Sequence, residues 1–589
     1  LDAIARTAWR MLVTRRRLLE WSPSADDVAG PGGSAGRPEL AASIRSMWIA
    51  PVIAVAAGGL LAAASPAALS QAAPFLVLWL VSPCVAWWIS RPLTRRAARF
   101  STDQALFLRS LARRTWGFFE TMVGPDDHGL PPDNYQEHPA AKVAHRTSPT
   151  NMGLALLANL GAYDFGFIPA GQLILRTESA MAAMFSMERY QGHFYNWYDT
   201  QTLQPLQPLY VSSVDSGNLA GHLMTLRPGL LALIDDPIMG PRWFEGLSDT
   251  LRALAESLGP DGSVSLDALR RDLQEALDAR PAALDAARRC LDRLDAGICA
   301  VAKRFSGEGS PDAAAGGDAA YWLDALARQC RTMRGELEHL ASWSGIGAIP
   351  TLRELAALEA QSLPAGAAHP AAQRIAQVER LAQRCDELAD MEYGFLYDAG
   401  RRLLAIGYNV GEHRRDSSYY DLLASEARLA SFVAISQGKL PQENWFALGR
   451  LLTTAGGEAV LMSWSGSMFE YLMPLLVMPS YDGTLLDQTC RVTVERQIAY
   501  GEQRGVPWGI SECGYNSVDS SLNYQYRAFG VPGLGLKRGL AEDLVVTPYA
   551  SALALMVAPE EACVNLETLA ADGLAGRHGL YEAIDYTAG

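Results

Sequence analysis

Two carboxylates in apolar surroundings are the residues of this chain whose type and spacing best fit acid–base or nucleophilic chemistry. Glu426 falls at helical spacing with Leu422 and Leu429, on a face that should point into the core. An ionised carboxylate is costly there unless it is paired, hydrogen-bonded or protonated. Glu512 lies in the short apolar stretch Trp508–Asn516, where no helical pattern accounts for it. Cleavage of a glycosidic bond requires such a pair, one member protonated and one ionised.

Some of these acids also have an ordinary structural explanation. Glu426 could be a buried residue paired with Arg428 or Arg450. Glu470 follows Ser467 by three residues, which is the spacing of a capping box, so it could serve only to begin a helix. Spacing alone does not decide between these structural roles and chemistry.

Polar and aromatic side chains that could hold a sugar occur in both halves of the chain. Tryptophan and tyrosine rings can stack on sugars, while carboxylates, amides and arginine can bind hydroxyl groups. Many such residues are helix caps or core residues in proteins, so we expect bystanders among them. The candidates for substrate binding are Asp133, Asn134, Arg146, Asn151, Trp197, Tyr198, Asp199, Asp215, Asn218, Glu412, Asp416, Trp464, Glu470, Tyr471 and Tyr515.

The composition excludes several classes of protein. The chain has 589 residues, 49% of them hydrophobic, which suffices for two to four domains or one large toroid. A formal charge of −14 argues against a nucleic-acid surface. The eight cysteines include no CxxC pair, which indicates free thiols, and the nine histidines include no HExxH motif. We therefore expect no metal and no cofactor. Because the first residue is Leu, we also expect a piece of a longer protein.

Two uncharged apolar stretches near the start indicate a membrane hairpin. Met47–Pro66 and Pro74–Ser90 are each about long enough to span a bilayer of ~30 Å, with residues 67–73 as the turn between them. Arginines cluster on both sides, which by the positive-inside rule places both ends in the cytoplasm. We expect a cytoplasmic basic leader over residues 1–46 and a transmembrane hairpin over residues 47–91. A buried core hairpin is the alternative.

The elements that must position the candidate residues are mostly helical. Helices that alternate with loops rich in aromatic and acidic residues favour an all-α fold, specifically an (α/α)6 toroid with its pocket at one end. Residues 236–390 differ in composition, because they are rich in Ala, Leu, Arg and Glu at heptad-like spacing. They are predicted to be a helical insertion. Residues 100–235 and 391–589 would then be the two parts of a catalytic domain.

Small β-hairpins are predicted between the helices. One should pair His193–Asp199 with Pro208–Val211. The other should pair Tyr393–Tyr397 with Leu403–Ile406 across the turn at Asp398–Gly400.

A set of long strings between Arg146 and Leu540 resembles the glycoamylase-like family, in particular the central domain of bacterial cyclic β-1,2-glucan synthases. The segment that precedes this domain in those synthases is similar to the start of this chain, WRMLVTRRRLLEW followed by the apolar pair. The strings that carry the resemblance are RTSPTNMGL, NWYDT, VSSVDSGNLAGHL, GYNVGEHRRDSSYYDLLASEARLASFVAI, LPQENWFALGR, WSGSMFEYLMPLL, WGISECGYN and YQYRAFGVPGLGLKRGL.

The resemblance implies an (α/α)6 toroid that acts on linear β-1,2-glucan. Glu426 would be the acid/base and Glu512 the nucleophile of a retaining transglycosylase that closes the glucan into a ring through a glycosyl-enzyme. Two alternatives stay open. An inverting endo-β-1,2-glucanase would use Asp416 or Glu470 as its base, and a membrane-bound glucan-binding module would have no activity. Residue type alone does not separate cyclisation from hydrolysis, since both use the same carboxylates.

The resemblance also implies partners and a location. The partners would be the linear glucan, the glycosyltransferase and phosphorylase-like parts of the same synthase, and membrane lipid through residues 47–91. Nucleic acid is not among them. The location would be the bacterial inner membrane, with the catalytic domain facing the cytoplasm.

Overall fold

The structure is a computed structural model that forms two compact units, Leu1–Ala97 and Ala98–Gly589. Most of the basic leader and of the two arginine clusters lies outside the described residues. The structure describes residues 10–14, 40–89, 98–263, 266–305, 316–340, 347–362 and 369–587.

The first unit contains a short helical segment, Arg10–Thr14, and helices α1 (Leu40–Met47), α2 (Ile49–Ala64) and α3 (Pro66–Ile89). Helix α2 packs against α3. In this described part of the chain, α3 is the helix long and apolar enough to cross a membrane, whereas α2 is a shorter apolar helix.

The predicted boundary between the two apolar segments is wrong. The chain leaves the helical conformation at Ser65, and residues 67–73, expected to be a turn, form the first part of α3. Their alanine-rich sequence favours a helix, and Pro66 suits a first helical position because its missing N–H would be unpaired there anyway.

The second unit is mostly helical, with short strands between the helices, which confirms the expected all-α class with small β-hairpins, as in an (α/α)6 toroid. Its helices are α4 (Thr102–Met122), α5 (Pro149–Asp164), α6 (Ala170–Ser186), α7 (Ser213–Ala232), α8 (Arg242–Ser263), α9 (Asp267–Ala279), α10 (Leu284–Phe305), α11 (Gly316–Leu340), α12 (Leu352–Ser362), α13 (Pro370–Ala389), α14 (Ala427–Ser436), α15 (Glu443–Ala447), α16 (Met468–Leu472), α17 (Leu485–Arg504), α18 (Pro548–Ala554) and α19 (Pro559–Leu569). Short turns of other helix types lie at Pro125–Asp127, Met473–Leu476 and Ala570–Leu574.

The strands of the second unit form small antiparallel sheets, of which one has three strands in the order β11–β10–β7. The strands are β1 (Tyr135–Gln136), β2 (Lys142–Val143), β3 (Arg146–Thr147), β4 (Arg189–Tyr190), β5 (His193–Phe194), β6 (Tyr198–Asp199), β7 (Tyr210–Ser212), β8 (Tyr397–Asp398), β9 (Leu403–Leu404), β10 (Gly407–Asn409), β11 (Arg414–Arg415), β12 (Leu452–Ala455), β13 (Glu458–Leu461), β14 (Cys513–Val518), β15 (Tyr524–Arg527), β16 (Val545–Val546), β17 (Ala575–Gly576), β18 (Gly579–Leu580) and β19 (Ile584–Asp585).

One of the two predicted hairpins is confirmed, and the other is found only in part. Strands β8 and β9 pair as expected, with Tyr397 opposite Leu404. In the other, the N–H of Asn196 donates to the carbonyl of Tyr210 at 2.7 Å and Tyr198 forms an antiparallel bridge with Pro205. However, β6 also pairs with β3, and β7 also pairs with β10. Strands β7 and β10 approach so closely that a Cβ on Gly407 would lie 2.2 Å from the hydroxyl oxygen of Tyr210. These partners are distant in sequence, so local turn signals do not reveal them.

Helix α7 lies at the centre of the second unit, packed against α5, α13 and α14. Twelve of its twenty residues are buried. Small residues allow this packing, since a Cβ on Gly217 would lie 2.3 Å from the Cα of Ala430 on α14. The side chain of Ser212 caps α7 by accepting a hydrogen bond from the backbone N–H of Asp215 at 3.3 Å.

The helices between residues 236 and 390 contain a hydrophobic cluster of their own, which includes Trp243, Leu291 and Trp322. A second cluster surrounds α7, and a third joins the segments after Leu422. The division into an insertion and two catalytic parts stays a prediction. All eight cysteines are free thiols, as expected.

Candidate active site

Glu426 immediately precedes helix α14 and is its N-cap residue, with φ −96° and ψ 25°. The prediction that it lies on a helix face is therefore wrong. The physical reason is Ser425, whose left-handed φ of 50° cannot continue a right-handed helix. The expected burial is nevertheless found, because only 5% of Glu426 is exposed.

A chain of hydrogen bonds from α5 and α7 holds the Glu426 carboxylate. Nδ2 of Asn218 donates to Oε1 of Glu426 at 2.6 Å and to Oγ1 of Thr150 at 3.0 Å. The Thr150 hydroxyl donates to Oδ1 of Asp215 at 2.7 Å. The hydroxyl of Ser425 hydrogen-bonds the other oxygen, Oε2, of Glu426. Both oxygens therefore have polar partners inside the protein.

The alternative that Arg428 or Arg450 pairs with Glu426 is wrong. Arg428 is buried and donates to backbone carbonyls, reaching that of Glu470 at 2.6 Å and also that of Tyr471. Arg450 donates to other carbonyls, among them that of Leu448 at 2.7 Å. Both arginines therefore fix main-chain segments, and the carboxylate is held by neutral donors.

Glu512 is positioned by an extended segment whose backbone is paired by side-chain amides. Gln497 donates to the carbonyl of Ile510 and accepts from its N–H, both at 2.8 Å. Asn565 forms the same two bonds with Trp508, at 2.7 and 3.2 Å. Strand β14 begins directly after Glu512. The carboxylate is thus carried by a rigid strand end rather than a loose loop.

Helix α16 joins the two carboxylate-bearing segments. The backbone N–H of Phe469 donates to Oγ of Ser511 at 3.0 Å, next to Glu512. On the same helix, Oε1 of Glu470 accepts a bond from the backbone N–H of Ser425 at 3.4 Å, next to Glu426. This short helix therefore fixes the position of one acid relative to the other.

Three residues predicted to bind substrate have structural roles instead. Glu470 is 3% exposed and forms the capping box with Ser467, and it also accepts from the hydroxyl of Ser465 at 2.7 Å. Tyr471 is fully buried, and its hydroxyl bonds the carbonyls of two other segments. Tyr198 is also fully buried, and its hydroxyl donates to the carbonyl of Glu188 at 2.6 Å. Their polar groups are already used within the protein.

The electrostatics of the pair favour the protonated forms of both acids. Burial raises the pKa of Glu426, and the charge of Asp215 adds to that rise, while its bonds to Ser425 and Asn218 oppose it. Burial also raises the pKa of Glu512 to about 7, with a further contribution from the charge of Glu426. Lys537 acts in the opposite direction on Glu512. One site therefore contains two acids whose pKa values are both raised by burial.

A group of tyrosines lies among these carboxylates. The hydroxyl of Tyr210 hydrogen-bonds Asp416. Burial raises the pKa of Tyr420, and the charges of Glu426, Asp215 and Asp416 contribute in that order. Asp416 and Asp215 thus belong to the same polar site as Glu426.

A second cluster of polar side chains includes Asn151, which follows Thr150 in helix α5. Asp133 accepts hydrogen bonds from both Nε and Nη2 of Arg146, at 3.1 and 2.9 Å, and from Asn151 and Asn134 at 3.3 and 3.1 Å. The guanidinium of Arg146 lies 4.9 Å from the centre of the Trp197 ring. These five predicted residues therefore form one cluster.

The remaining predicted residues are dispersed. Trp464 is 60% exposed, with its backbone N–H bonded to the carbonyl of Leu423 at 3.1 Å. Asp199 accepts from the backbone N–H groups of a tight turn, and Glu412 forms an exposed ion pair with Arg414 at 2.9 Å. Tyr515 packs edge-on against a neighbouring phenylalanine at 5.5 Å. Asp199 and Glu412 have local partners that explain them.

Several members of the site escaped sequence reasoning. Tyr420 lies within one of the strings that carry the family resemblance, but its residue type and spacing do not indicate that its hydroxyl belongs to the site. Tyr549 donates to the carbonyl of Glu512 at 2.7 Å from helix α18, and Lys537 acts on the same acid. Sequence distance hid them, since side chains far along the chain give no local spacing signal. Among the described residues, no group of three or more His, Cys, Asp or Glu side chains could hold a metal ion.

Comparison with known proteins finds similarity along the whole chain. It is 39% identical to the cyclic β-(1,2)-glucan synthase NdvB of Rhizobium meliloti strain 1021 over 605 aligned residues, which cover 100% of this chain and 20% of that protein. The chain thus spans about a fifth of that relative's length.

Two solved structures are similar at low identity. An endo-β-1,2-glucanase from Chitinophaga pinensis, in complex with sophorotriose and glucose, is 13% identical, with a TM-score of 0.45, covering 83% of this chain and 88% of that one. An endo-β-1,2-glucanase from Talaromyces funiculosus with sophorose is 10% identical at the same TM-score, covering 82% and 81%. Both structural similarities are low.

The family comparison covers the segment that carries both candidate acids. Residues 418–589 match the model of the Glycoamylase family. This range begins before Glu426 and contains α14, α16 and strand β14 with Glu512 before it. The carboxyl-terminal part of this chain, which carries both candidate acids, is therefore similar to the Glycoamylase family.

Proposed function

We propose that this chain is the retaining transglycosylase of a cyclic β-1,2-glucan synthase, and that it closes linear β-1,2-glucan into a ring. The 39% identity to such a synthase along the entire chain supports the substrate. The observation that carries the chemistry is the pair of acids, Glu426 and Glu512, whose neighbouring residues are both hydrogen-bonded to α16 and whose pKa values are both raised.

The difference in surroundings assigns a role to each acid. Glu426 is the more deeply buried, and this burial raises its pKa against the opposing effect of its hydrogen bonds, so it keeps its proton and acts as the general acid. Glu512 is only partly buried and is influenced by the positive charge of Lys537, so it is the acid that ionises and attacks as the nucleophile.

The reaction then follows two displacements at the anomeric carbon. Glu426 donates its proton to the glycosidic oxygen while that oxygen leaves, and the Glu512 carboxylate bonds to the anomeric carbon. The 2-hydroxyl at the non-reducing end of the same glucan next attacks this carbon and gives its proton to Glu426. The bond to Glu512 breaks, so both acids return to their first state and the configuration is retained.

Ring closure requires that water does not take the place of the glucan hydroxyl. The exposed ring of Trp464, whose backbone lies beside both the Leu423 and the Lys537 segments, is suited to cover the reacting sugar. The cluster around Asp133, Arg146 and Trp197 supplies stacking and hydrogen bonding for neighbouring sugar units.

Product analysis tests this function. The detergent-solubilised chain is incubated with linear β-1,2-glucan, and the products are weighed by mass spectrometry. We expect glucans lighter than linear ones by one water, and a loss of at least about a hundredfold in Glu426→Gln and Glu512→Gln. Glu412→Gln is the matched control, since that residue is exposed. Production of only shorter linear glucans would exclude cyclisation.

The second candidate is an inverting endo-β-1,2-glucanase with Asp416 as base. The bond between Tyr210 and Asp416, together with the influence of both Asp416 and Glu426 on Tyr420, favours Asp416 over Glu470, whose oxygens are already used. Proton NMR separates the two candidates, because retaining ring closure forms a new β-linkage and no new reducing end, whereas inverting hydrolysis releases a new reducing end that is at first the α-anomer. A module that only binds glucan predicts that neither glutamine variant changes glucan handling.

The same proposal places the chain in a larger membrane protein. Helix α3 anchors it in the bacterial inner membrane through lipid contacts, the catalytic part faces the cytoplasm, and glycosyltransferase and phosphorylase-like parts supply and trim the glucan. The apolar length of α3 and the identity to a synthase five times as long support this arrangement. Recovery of the expressed chain in the carbonate-washed membrane fraction, and its protection from protease added outside intact spheroplasts, would test it.

A further inference from the structure

A cavity of about 1000 Å³ opens between α4, α8 and the hairpin β17–β18, and its lining includes neither Glu426 nor Glu512. This volume lies at the upper end of the range for ligand pockets. Residues such as Phe107 of α4, Ser257 of α8 and Leu580 of β18 line it. The cavity is thus distinct from the candidate active site.

Two tyrosines give this cavity flat apolar walls. Tyr581 is 41% exposed, and its hydroxyl donates to Oε2 of Glu137 at 2.7 Å. Tyr135 packs edge-on against His578, with ring centres 6.2 Å apart. Aromatic rings in the wall of a cavity can stack on the apolar face of a sugar.

The charges around the cavity are nearly balanced. Its lining contains four carboxylates and three guanidinium groups. Arg114 bonds Glu256 at 2.9 Å, and Arg577 bonds Asp318 at 2.5 Å. Such pairing leaves no excess positive charge for a phosphate or another anion. The paired groups still offer donors and acceptors to neutral hydroxyl groups, so a polyhydroxylated neutral ligand fits best.

Hydrogen bonds connect segments beside the cavity to the hairpin that follows Glu512. Gln136, next to Tyr135, donates to the carbonyl of Leu522 at 2.9 Å, at the tip of the β14–β15 hairpin. At the other end of this hairpin, the N–H of Gly514 donates to Oε1 of Glu582 at 2.6 Å, beside Tyr581. One long polymer can therefore contact the cavity and the Glu512 strand together.

We propose that this cavity is a second glucan-binding site, which holds a stretch of the linear β-1,2-glucan several units away from the bond that is broken. The inference rests on the proposed function. Binding of the glucan at a second site raises the effective concentration of its distant chain end at the glycosyl-enzyme, because the bound chain restricts that end to a smaller volume. Ring closure is then favoured over attack by water.

The test compares long linear β-1,2-glucan with oligosaccharides too short to reach both sites. Tyr581→Ala and Tyr135→Ala remove a wall of the cavity, and Ser257→Trp fills it. Tyr481→Ala is the matched control, being a 63% exposed tyrosine that does not line the cavity. Affinity is measured by calorimetry in the Glu512→Gln background, and turnover is measured with Glu512 intact.

We expect the cavity variants to lose about tenfold in affinity for long glucan, the usual scale of one stacking contact with its hydrogen bonds. Turnover of short oligosaccharides stays unchanged, which also reports an intact fold, and the fraction of ring product falls. Unchanged affinity for long glucan in all three variants would overturn the second site. A parent chain that turns over neither substrate would refute the proposed function alone, since binding in the cavity is measured without turnover.

Discussion

The side-chain amide of Asn218 donates a 2.6 Å hydrogen bond to the Glu426 carboxylate. The same nitrogen donates to Thr150, which in turn donates to Asp215, so the acid is tied to the beginnings of two helices, α5 and α7. This connection makes the position and the protonation of Glu426 depend on residues that need not contact substrate.

Asn218→Ala should raise the pKa of Glu426 further, because the bond from Asn218 stabilises the ionised carboxylate and lowers that pKa. The alkaline limb of the pH–rate profile then moves to higher pH, while kcat falls about tenfold or more as the acid loses its orientation. Thr150→Val, which removes only the supporting hydroxyl, should give a smaller change of the same sign. An alkaline limb at the parent's pH in both variants would contradict this account.

The acid limb of the activity should have its midpoint near pH 7. Glu512 must be ionised to attack, and burial raises its pKa to about 7 in the free protein. Activity therefore falls as pH decreases through that value. Lys537→Met removes a charge that lowers this pKa, so its midpoint should move upward; kcat/KM measured between about pH 5 and pH 9 checks both.

Glu512→Gln should stabilise the fold above neutral pH. The pKa of Glu512 is about 7 when folded and near 4.5 ordinarily, so the folded state holds the proton more tightly. Below the ordinary value both states are protonated and the side chain has no effect. Between the two values stability falls as pH rises, reaching a penalty of about 3 kcal/mol above pH 7. Urea unfolding at about pH 8 should show most of that gain in the variant, and unfolding at about pH 4 almost none.

Glu470→Gln should impair activity through position rather than chemistry. The amide group would face N–H donors of Ser465 and Ser467 that now bond carboxylate oxygens, which costs about 1–3 kcal/mol of folding free energy. Since α16 holds both acids, kcat should fall, and the acid limb should move to lower pH because the charge of Glu470 raises the pKa of Glu512. A parallel Glu412→Gln variant should leave Tm and kcat unchanged, because its exposed ion pair contributes little.

Ser425 offers a pair of variants that separates backbone strain from hydrogen bonding. Both Ser425→Ala and Ser425→Gly remove the hydroxyl that bonds Glu426, so both should raise its pKa equally. Only glycine adopts the φ of 50° without strain, so Ser425→Gly should be about 1 kcal/mol more stable than Ser425→Ala in thermal unfolding. Equal stabilities would show that the left-handed turn is not strained.

The sequence predicted the burial of Glu426 better than the local backbone geometry around it. Glu426 was expected to be buried because apolar residues surround it at helical spacing, and it is buried, although it lies before the helix. The spacing could not reveal the left-handed Ser425, since serine does not demand that conformation as glycine often does. The amphipathic pattern predicts the helix correctly from Leu429 onward. It places the start of the helix about one turn before the observed start at Ala427.

Long-range partners explain the other errors. Tyr198 and Tyr471 look like surface aromatics in polar strings, but their hydroxyls bond carbonyls of distant or folded-back segments, so only the tertiary structure shows that they are core residues. The hairpin predicted between His193–Asp199 and Pro208–Val211 is only partly formed, because β7 pairs with β10, about 200 residues further along the chain. In contrast, β8 and β9 are joined by a short turn and were predictable.

The contact of Gly217 with Ala430 has a consequence for how this enzyme can move. Helices α7 and α14 touch backbone to backbone at these residues, so no side chain between them can change rotamer and allow them to slide. We therefore expect the helices that support Glu426 to be rigid. The Glu512 strand, by contrast, leads into a two-stranded hairpin with an exposed tip. We therefore expect the movement that admits or releases a polymer to occur in the β14–β15 hairpin. The substrate would then adjust its conformation to the fixed position of Glu426.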